Sequence, residues 1–211
     1  MVGHGPWSNA CRAAATAAAT SCGCPSAIPN RRFSVAASTT SNWRADDGAV
    51  HSPPTANALY LLLKHPEFQD ALRDGTPATT TAFVEESLRL FGPLAYRPRW
   101  AKEDVQLGGQ VIKKGEKVIA VSTAASRDAS HYACPAQVDL ERRAPRDHFS
   151  FWQGPHTCPG RGLARVELAA ILDSLLARTR DMHFDPDAPP PRFRFEILRR
   201  WEPLHALFRA A

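Results

Sequence analysis

The sequence predicts a mainly α-helical protein with small β-regions, an α+β fold. Apolar residues recur at three- and four-residue steps near residues 55–63, 79–91 and 163–176. This is the period of a helix with one buried face. Residues 97–121 instead alternate apolar and polar positions between Gly turns, as short strands joined by hairpins do. A chain of 211 residues is long enough for one domain with a sizeable core.

Residues 1–50 show no pattern that predicts a core. They are rich in Ala, Ser, Thr and Gly, and no acidic residue occurs before Asp46. Three interpretations stay open: a low-complexity disordered tail, an organellar transit peptide, or sequence not homologous to the rest. The stretch Arg31–Ser34 resembles transit-peptide composition, whereas the Ala-rich run 13–18 lacks amphipathic arginine spacing. The folded region is therefore predicted to span residues 51–211.

The first predicted helix carries its apolar face from Ala56 to Leu63 and ends before Pro66. Just upstream lie two consecutive prolines, Pro53 and Pro54. Inside a helix each would cost about 3 kcal/mol or more, because proline lacks the N–H and clashes with the preceding turn. The helix is therefore expected to start near Thr55.

Further elements follow from similar signals. A short second helix closes at Gly75, and a third spans residues 79–91. Near the C-terminus, charged and apolar residues alternate over residues 192–197, which read R-F-R-F-E-I and predict a half-exposed strand. The candidates for the cap of the third helix are Thr79, Thr80 and Thr81.

A segment rich in Gly and Pro, residues 151–160, leads into the last helix. It places Cys158 at or before the helix N-terminus, where free N–H groups and the helix dipole favour a thiolate over a thiol. Gly154 and Gly160 allow the backbone to turn and to approach a large flat ligand closely. Phe151 and the following Trp supply an apolar shell. We interpret Cys158 as a ligand for a soft metal; the alternative is a buried structural thiol.

The spacing F-x-x-G-x-H-x-C-x-G in this segment resembles the haem-ligand signature of the cytochrome P-450 haem-thiolate monooxygenases. The resemblance implies haem b as the cofactor, Cys158 as the axial ligand of its iron, and His156 as a donor to a haem propionate. It covers residues 55–208 and is greatest to the soluble, bacterial-like class. We therefore expect the C-terminal, haem-binding part of that fold, truncated on its N-terminal side.

A second motif carries the same resemblance. Glu86 and Arg89 lie three residues apart on one face of the third helix and match the E-x-x-R pair of the family. Alone, such a pair is commonly a solvated surface contact. The resemblance implies a buried structural cluster that Arg142 of a later D-x-x-R segment joins, with Arg143 as the alternative.

The strand region contains a candidate for a further cofactor contact. Arg99 lies two residues before the alanine that leads into an E-D-V stretch. In the family, an arginine at this place contacts a haem propionate, and Arg99 fits better than Arg97. A guanidinium group suits a carboxylate because it offers two parallel donors and is always charged.

The start of the first helix departs from the family. Members usually carry a small Ala-Gly pair and then an acid followed by threonine, whereas residues 51–55 read H-S-P-P-T. No distal acid and threonine pair is identified, and no catalytic residue is assigned. The resemblance implies a monooxygenase of impaired activity that oxygenates C–H bonds of a small apolar organic substrate with O2. A non-catalytic truncated haem-binding relative and a peroxide-driven haem-thiolate peroxygenase stay open as alternatives.

Composition limits the other partners. The net charge of +5 is spread without a run of basic residues, so nucleic-acid binding is not predicted. No run of about 18 apolar residues exists, so no transmembrane anchor is predicted. A cytoplasmic location is expected, with organellar targeting by residues 1–50 as the alternative. The 5 cysteines form an odd set with no C-x-x-C pair, so neither a disulfide framework nor a zinc finger is predicted.

The family resemblance implies an electron donor of the ferredoxin or flavodoxin-like kind. Basic residues near the cysteine segment could form a face that attracts such an acidic protein. The candidates are Arg142, Arg143, Arg146, Arg161 and Arg165.

Overall fold

A computed structural model of the chain describes residues 31–35, 52–143, 145–195 and 198–211. The three interpretations of residues 1–50 therefore fall largely outside the described residues. So do Glu196 and Ile197 of the predicted C-terminal strand.

The described residues form the predicted mixture of helices and small sheets. The helices are α1 (Ser52–Lys64), α2 (Glu67–Asp74), α3 (Pro77–Phe91), α4 (Ser122–Ala125) and α5 (Arg161–Arg178). The strands are β1 (Arg31–Val35), β2 (Arg97–Trp100), β3 (Val105–Leu107), β4 (Gln110–Ile112), β5 (Lys117–Ala120), β6 (Thr179–Phe184), β7 (Arg192–Phe195), β8 (Arg199–Glu202) and β9 (Leu204–Ala210). The mainly α-helical fold class is confirmed. Within the described ranges, no helix is both long and apolar enough to cross a membrane.

Helix α1 begins at Ser52 rather than near Thr55. Pro53 and Pro54 lie in its first turn, where backbone N–H groups have no partner within the helix and the fixed φ of proline suits the helical backbone. Two prolines are therefore compatible with the start of the helix, although they would not be compatible with its interior.

Helix α3 also begins earlier than predicted, at Pro77. The predicted caps lie inside the helix. Thr79 contributes from there, because its hydroxyl oxygen accepts the backbone N–H of Thr76 at 3.2 Å. Every residue from Phe83 to Leu90 is buried, so this helix lies at the centre of the molecule rather than on its surface.

The core forms where α1, α3 and α5 meet β6 and β9. Tyr60 of α1 stacks on Trp201 of β8 with ring centroids 3.7 Å apart. The side-chain amide of buried Asn57 donates to the carbonyl oxygens of Phe91 at 2.7 Å and Arg199 at 3.1 Å. These contacts tie the start of α1 to the end of α3 and to the C-terminal strands.

Three antiparallel two-stranded sheets pair β2 with β5, β3 with β4, and β7 with β8. A three-stranded sheet has the order β1-β9-β6, with Arg31 opposite Phe208 and Val35 opposite Leu204. No element is predicted from the sequence at β1 or β6. Both strands pair with β9. For β1 this partner lies at the opposite end of the chain.

One cysteine differs from the expectation drawn from the sequence. Cys134 is disulfide-bonded, although the sequence predicts no disulfide framework. Cys158 is a free thiol.

Candidate cofactor site

Cys158 lies in a loop between two 3-10 turns and α5. The turns span Phe149–Phe151 and Gly154–His156. The backbone N–H of Cys158 donates to the carbonyl oxygen of Phe151 at 2.9 Å, and the Cys158 carbonyl accepts the N–H of Arg161 at 3.4 Å. The half-buried thiol is therefore held by backbone bonds on both of its sides.

The thiol lines a cavity of about 410 Å³. Its wall comes from the first turn of α1, the end of α3 with the segment that follows, and the cysteine loop with the start of α5. The lining residues are Pro54, Thr55, Leu88, Pro93, Leu94, Arg97, Ser150, Phe151, Trp152, His156, Cys158, Pro159, Gly160, Ala164, Glu167, Leu168 and Ile171. Most of these side chains are apolar.

Phe151, His156 and Gly160, all predicted from the sequence, line this cavity with Cys158. Gly160 has φ −80°, so its conformation does not require glycine. A Cβ there would lie 3.9 Å from the Cys158 sulfur, which is an ordinary contact distance. Glycine at this position therefore serves to leave open space beside the thiol. Gly154 has φ 74°, which favours glycine, and does not line the cavity.

The arginine predicted to face the cofactor is placed beside the site rather than in its wall. The Arg99 guanidinium lies 5.6 Å from the ring centroid of Trp152, which does line the cavity. Arg97, on the same face of β2, lines the cavity itself. Trp152 has φ 57°, unusual for a bulky residue, and its buried indole N–H finds no hydrogen-bond partner among the residues that the structure describes.

The structure brings Glu86, Arg89 and Arg142 together in one buried cluster. The Glu86 carboxylate accepts two bonds from Arg89, at 2.7 and 2.9 Å, and one from the Arg142 Nε at 2.9 Å. The backbone N–H of Asp139 donates to the same carboxylate at 2.9 Å. Arg143, the alternative to Arg142, is exposed.

This cluster fixes the long loop that follows α4. Arg89 also donates to the carbonyl oxygens of Ser126, Pro135 and Gln137, at 2.7 to 3.1 Å. Burial raises the pKa of Glu86, but hydrogen bonds from Arg89 and Arg142 lower it by more, so the pKa lies below its ordinary value. The carboxylate is therefore ionised wherever the protein is folded near neutral pH.

A second buried carboxylate, Glu85, is not singled out by any sequence motif. Its carboxylate accepts hydrogen bonds from Arg165 at 2.6 and 3.1 Å and from the Arg146 Nε at 3.2 Å. A further hydrogen bond joins it to His148 Nε2 at 3.0 Å. Burial raises its pKa, yet the bonds from His148 and Arg165 keep the pKa below its ordinary value. The sequence places Glu85 three residues before Leu88 of the predicted core face, and an acid buried there would require cationic partners.

The Glu85 and Glu86 clusters include three of the five arginines predicted to form a basic face. Arg142, Arg146 and Arg165 each bind a buried carboxylate, so their positive charges are compensated in part. Together with Arg89, four arginines share the two negative charges of Glu85 and Glu86. Arg143 and Arg161 are the exposed members of the predicted set for which no carboxylate contact is found among the described residues.

The residues around the cavity fit a haem. An iron porphyrin requires apolar walls, a ligand for its metal, and donors for two propionates. Leu88, Leu94, Phe151 and Leu168 supply apolar wall, Cys158 supplies a sulfur ligand, and Arg97 and His156 supply polar groups. The fold of this chain and the residues of its cavity together are those of a haem-thiolate protein.

The comparison with known families agrees with this class. The family model for cytochrome P450 matches residues 78–206, and the chain belongs to the cytochrome P450 family. Members of this family bind haem b, so the predicted cofactor is supported by the family as well as by the cavity.

Individual relatives cover the same region. Cytochrome P450 CYP107DY1 of Priestia megaterium is 34% identical over 72% of this chain and 37% of its own length. The 6-deoxyerythronolide B hydroxylase of Saccharopolyspora erythraea is 37% identical over 67% of this chain and 34% of its own length. The substrate-free structure of Mycobacterium marinum CYP150A6 matches with a TM-score of 0.72 and 32% identity, covering 77% of this chain and 41% of that one. The chain spans about two fifths of the length of such relatives.

Proposed function

We propose that this chain is the haem-binding part of a haem-thiolate monooxygenase, with the Cys158 thiolate as the axial ligand. The observation that carries the proposal is the free Cys158 thiol in the wall of a mostly apolar cavity, held by the backbone bond to Phe151. Cys158 would hold the iron of a haem bound there, and the haem would supply oxygen activation.

The chain's own residues would bind and orient this group. Leu88, Leu94 and Leu168 exclude water from the cavity wall beside it. Arg97 and His156 line the cavity and can donate to propionates, and Arg99 can reach the same region from over the Trp152 ring. The substrate in this proposal is a small apolar organic molecule with a C–H bond to be oxygenated, and a hydroxylase among the relatives supports the reaction type.

The electrons would come from a ferredoxin or flavodoxin-like donor. Exposed Arg143 and Arg161 flank the cysteine loop in sequence and offer positive charge to an acidic protein surface. The three other arginines of the predicted basic face contribute less to such docking, because Glu85 and Glu86 offset part of their positive charge.

The test is spectral titration of hemin into the purified chain, followed by reduction and addition of carbon monoxide. We expect the red-shifted carbon monoxide band of a thiolate-ligated haem in the wild type and its loss in Cys158→Ser. Thr157→Ala is the matched control, since it removes a neighbouring hydroxyl that bonds only the Gly154 carbonyl and leaves the thiol in place. A red-shifted band that survives in Cys158→Ser would rule out this ligand.

A peroxide-driven peroxygenase is the second candidate. The observation that favours it is the first turn of α1, which carries no acidic residue and contributes Pro54 and Thr55 to the cavity. The loaded chain should then turn over substrate with hydrogen peroxide and without an electron donor. Absence of turnover with either oxidant system would favour the non-catalytic relative.

A further inference from the structure

The Glu85 carboxylate binds both stems of the loop that carries Cys158. One stem is the segment that enters the loop, with Arg146 and His148; the other is α5, which leaves the loop and carries Arg165. Glu85 itself is fully buried in α3, the helix at the centre of the molecule. One side chain thus connects the two ends of the loop to a rigid element.

On the entering stem, His148 transmits this contact to the backbone. Its Nδ1 accepts the N–H of Ser150 at 3.2 Å, so the hydrogen-bond network assigns the ring proton to Nε2, which donates to Glu85. By accepting the Ser150 N–H, the His148 side chain caps the 3-10 turn that ends at Phe151. Glu85 thereby sets the ring orientation that holds this turn.

On the leaving stem, Arg165 transmits the contact to the same aromatic residue. Its guanidinium, held by two bonds to Glu85, lies 4.6 Å from the ring centroid of Phe151. The Phe151 carbonyl oxygen in turn accepts the N–H of Cys158 at 2.9 Å. The contacts through His148 and through Arg165 therefore both lead from Glu85 to Phe151, which is hydrogen-bonded to Cys158.

We propose that Glu85 is a positioning residue for Cys158: its contacts with His148 and Arg165 fix Phe151, whose carbonyl holds the thiolate loop in a ligating conformation. The proposal rests on the proposed function, in which Cys158 binds iron. Outer partners that orient a metal ligand commonly affect metal affinity 10–100-fold, and Glu85 occupies such a place.

Another contact between the same helices supplies a matched control. Thr80 of α3 donates to Asp173 of α5 at 2.9 Å, about two turns of α5 beyond Arg165. Thr80→Val keeps the side-chain shape and removes this bond. It loosens the contact between α3 and α5 at Asp173 and leaves the contacts of Glu85 with Arg146, His148 and Arg165 in place.

The first measurement needs no haem. Peptide-resolved hydrogen exchange of the full chain reports on the Cys158 amide, which is protected by its bond to Phe151. We expect Glu85→Gln to speed exchange in the peptide that contains Cys158 at least about tenfold beyond its effect on peptides from α1, whereas Thr80→Val has no such selective effect. Equal acceleration in both variants would overturn the proposal, because Glu85 would then act only on global stability.

The second measurement uses the hemin-loaded chain. In Glu85→Gln we expect roughly 10–100-fold weaker hemin binding, and a lower fraction of the red-shifted carbon monoxide band in the haem that does bind. Unchanged affinity and band in this variant would overturn the proposal. A wild type that lacks the red-shifted band overturns the proposed function instead, while the exchange experiment still decides whether Glu85 holds the loop.

A further variant covers the case in which Glu85→Gln does not fold. Arg165→Lys keeps the positive charge but loses the two-point contact with the carboxylate and the planar group over Phe151. The same selective loss of protection at Cys158 supports the proposal, and protection equal to that of the wild type contradicts it.

Discussion

Two neighbouring carboxylates of α3, Glu85 and Glu86, are both fully buried and hold different parts of the protein. Successive helical residues point about 100° apart, so the two side chains face different segments. Glu86 binds Arg89 and Arg142 and so secures the long loop after α4. Glu85 binds the two stems of the cysteine loop.

The two clusters also differ in how much water reaches their cations. The partners of Glu86 have side chains that are 0% and 6% exposed, whereas those of Glu85 include Arg146 at 68% and Arg165 at 18%. A deeply buried pair is costly to break because an uncompensated charge stays inside, whereas an exposed partner is easily replaced by water. We infer that the Glu86 cluster mainly stabilises the fold and that the Glu85 cluster mainly orients the loop.

The largest expected effect is the loss of the Glu86 carboxylate. In Glu86→Ala, Arg89 is left buried without a counter-ion, so the free energy of unfolding should fall by about 3–5 kcal/mol. Urea unfolding followed by far-UV circular dichroism measures this change. Glu141→Ala, at an exposed acid of the same loop region, should change it by less than about 0.5 kcal/mol.

A loss below about 1 kcal/mol in Glu86→Ala would place the cluster among solvated contacts. It would also remove the distinction drawn between the two carboxylates, since both would then be tolerant of substitution.

How far the sequence predicts these clusters depends on how local their signals are. Glu86 and Arg89 share one helical turn, and the family resemblance adds Arg142, so these three residues are found from motifs. The partners of Glu85 lie 61, 63 and 80 residues further along the chain. No spacing rule connects them, and only the buried position of an acid gives a hint.

Local patterns likewise predict some helices and strands and miss others. The period of apolar residues predicts α1, α3 and α5 because each buries one face within its own length. The helix starts are misplaced, since a first turn tolerates proline and polar residues. Strands β1 and β6 are missed because each depends on pairing with β9, which local patterns do not encode.

The second prediction separates the two arginines of the Glu85 cluster. Arg165→Gln removes two hydrogen bonds to a buried carboxylate and should lower the free energy of unfolding by about 1.5–3 kcal/mol. Arg146→Gln removes a contact of an exposed side chain and should cost at most about 1 kcal/mol. The same urea experiment compares the two variants. Equal losses would mean that exposure of the partner does not decide the strength of the pair.

The smallest expected effect concerns pH. Both carboxylates have folded-state pKa values below the ordinary 4.5, so each contributes stability that is present above this pH and is lost as pH falls through the lowered pKa. Each buried acid can add a slope of up to about 1.4 kcal/mol per pH unit to the acid limb of the unfolding free energy. Glu85→Gln should remove its share of this slope, while the share of Glu86 remains. Urea midpoints measured from about pH 6 down to pH 3 test this, and an acid limb of unchanged slope in Glu85→Gln would show that Glu85 is protonated alike in the folded and unfolded chain.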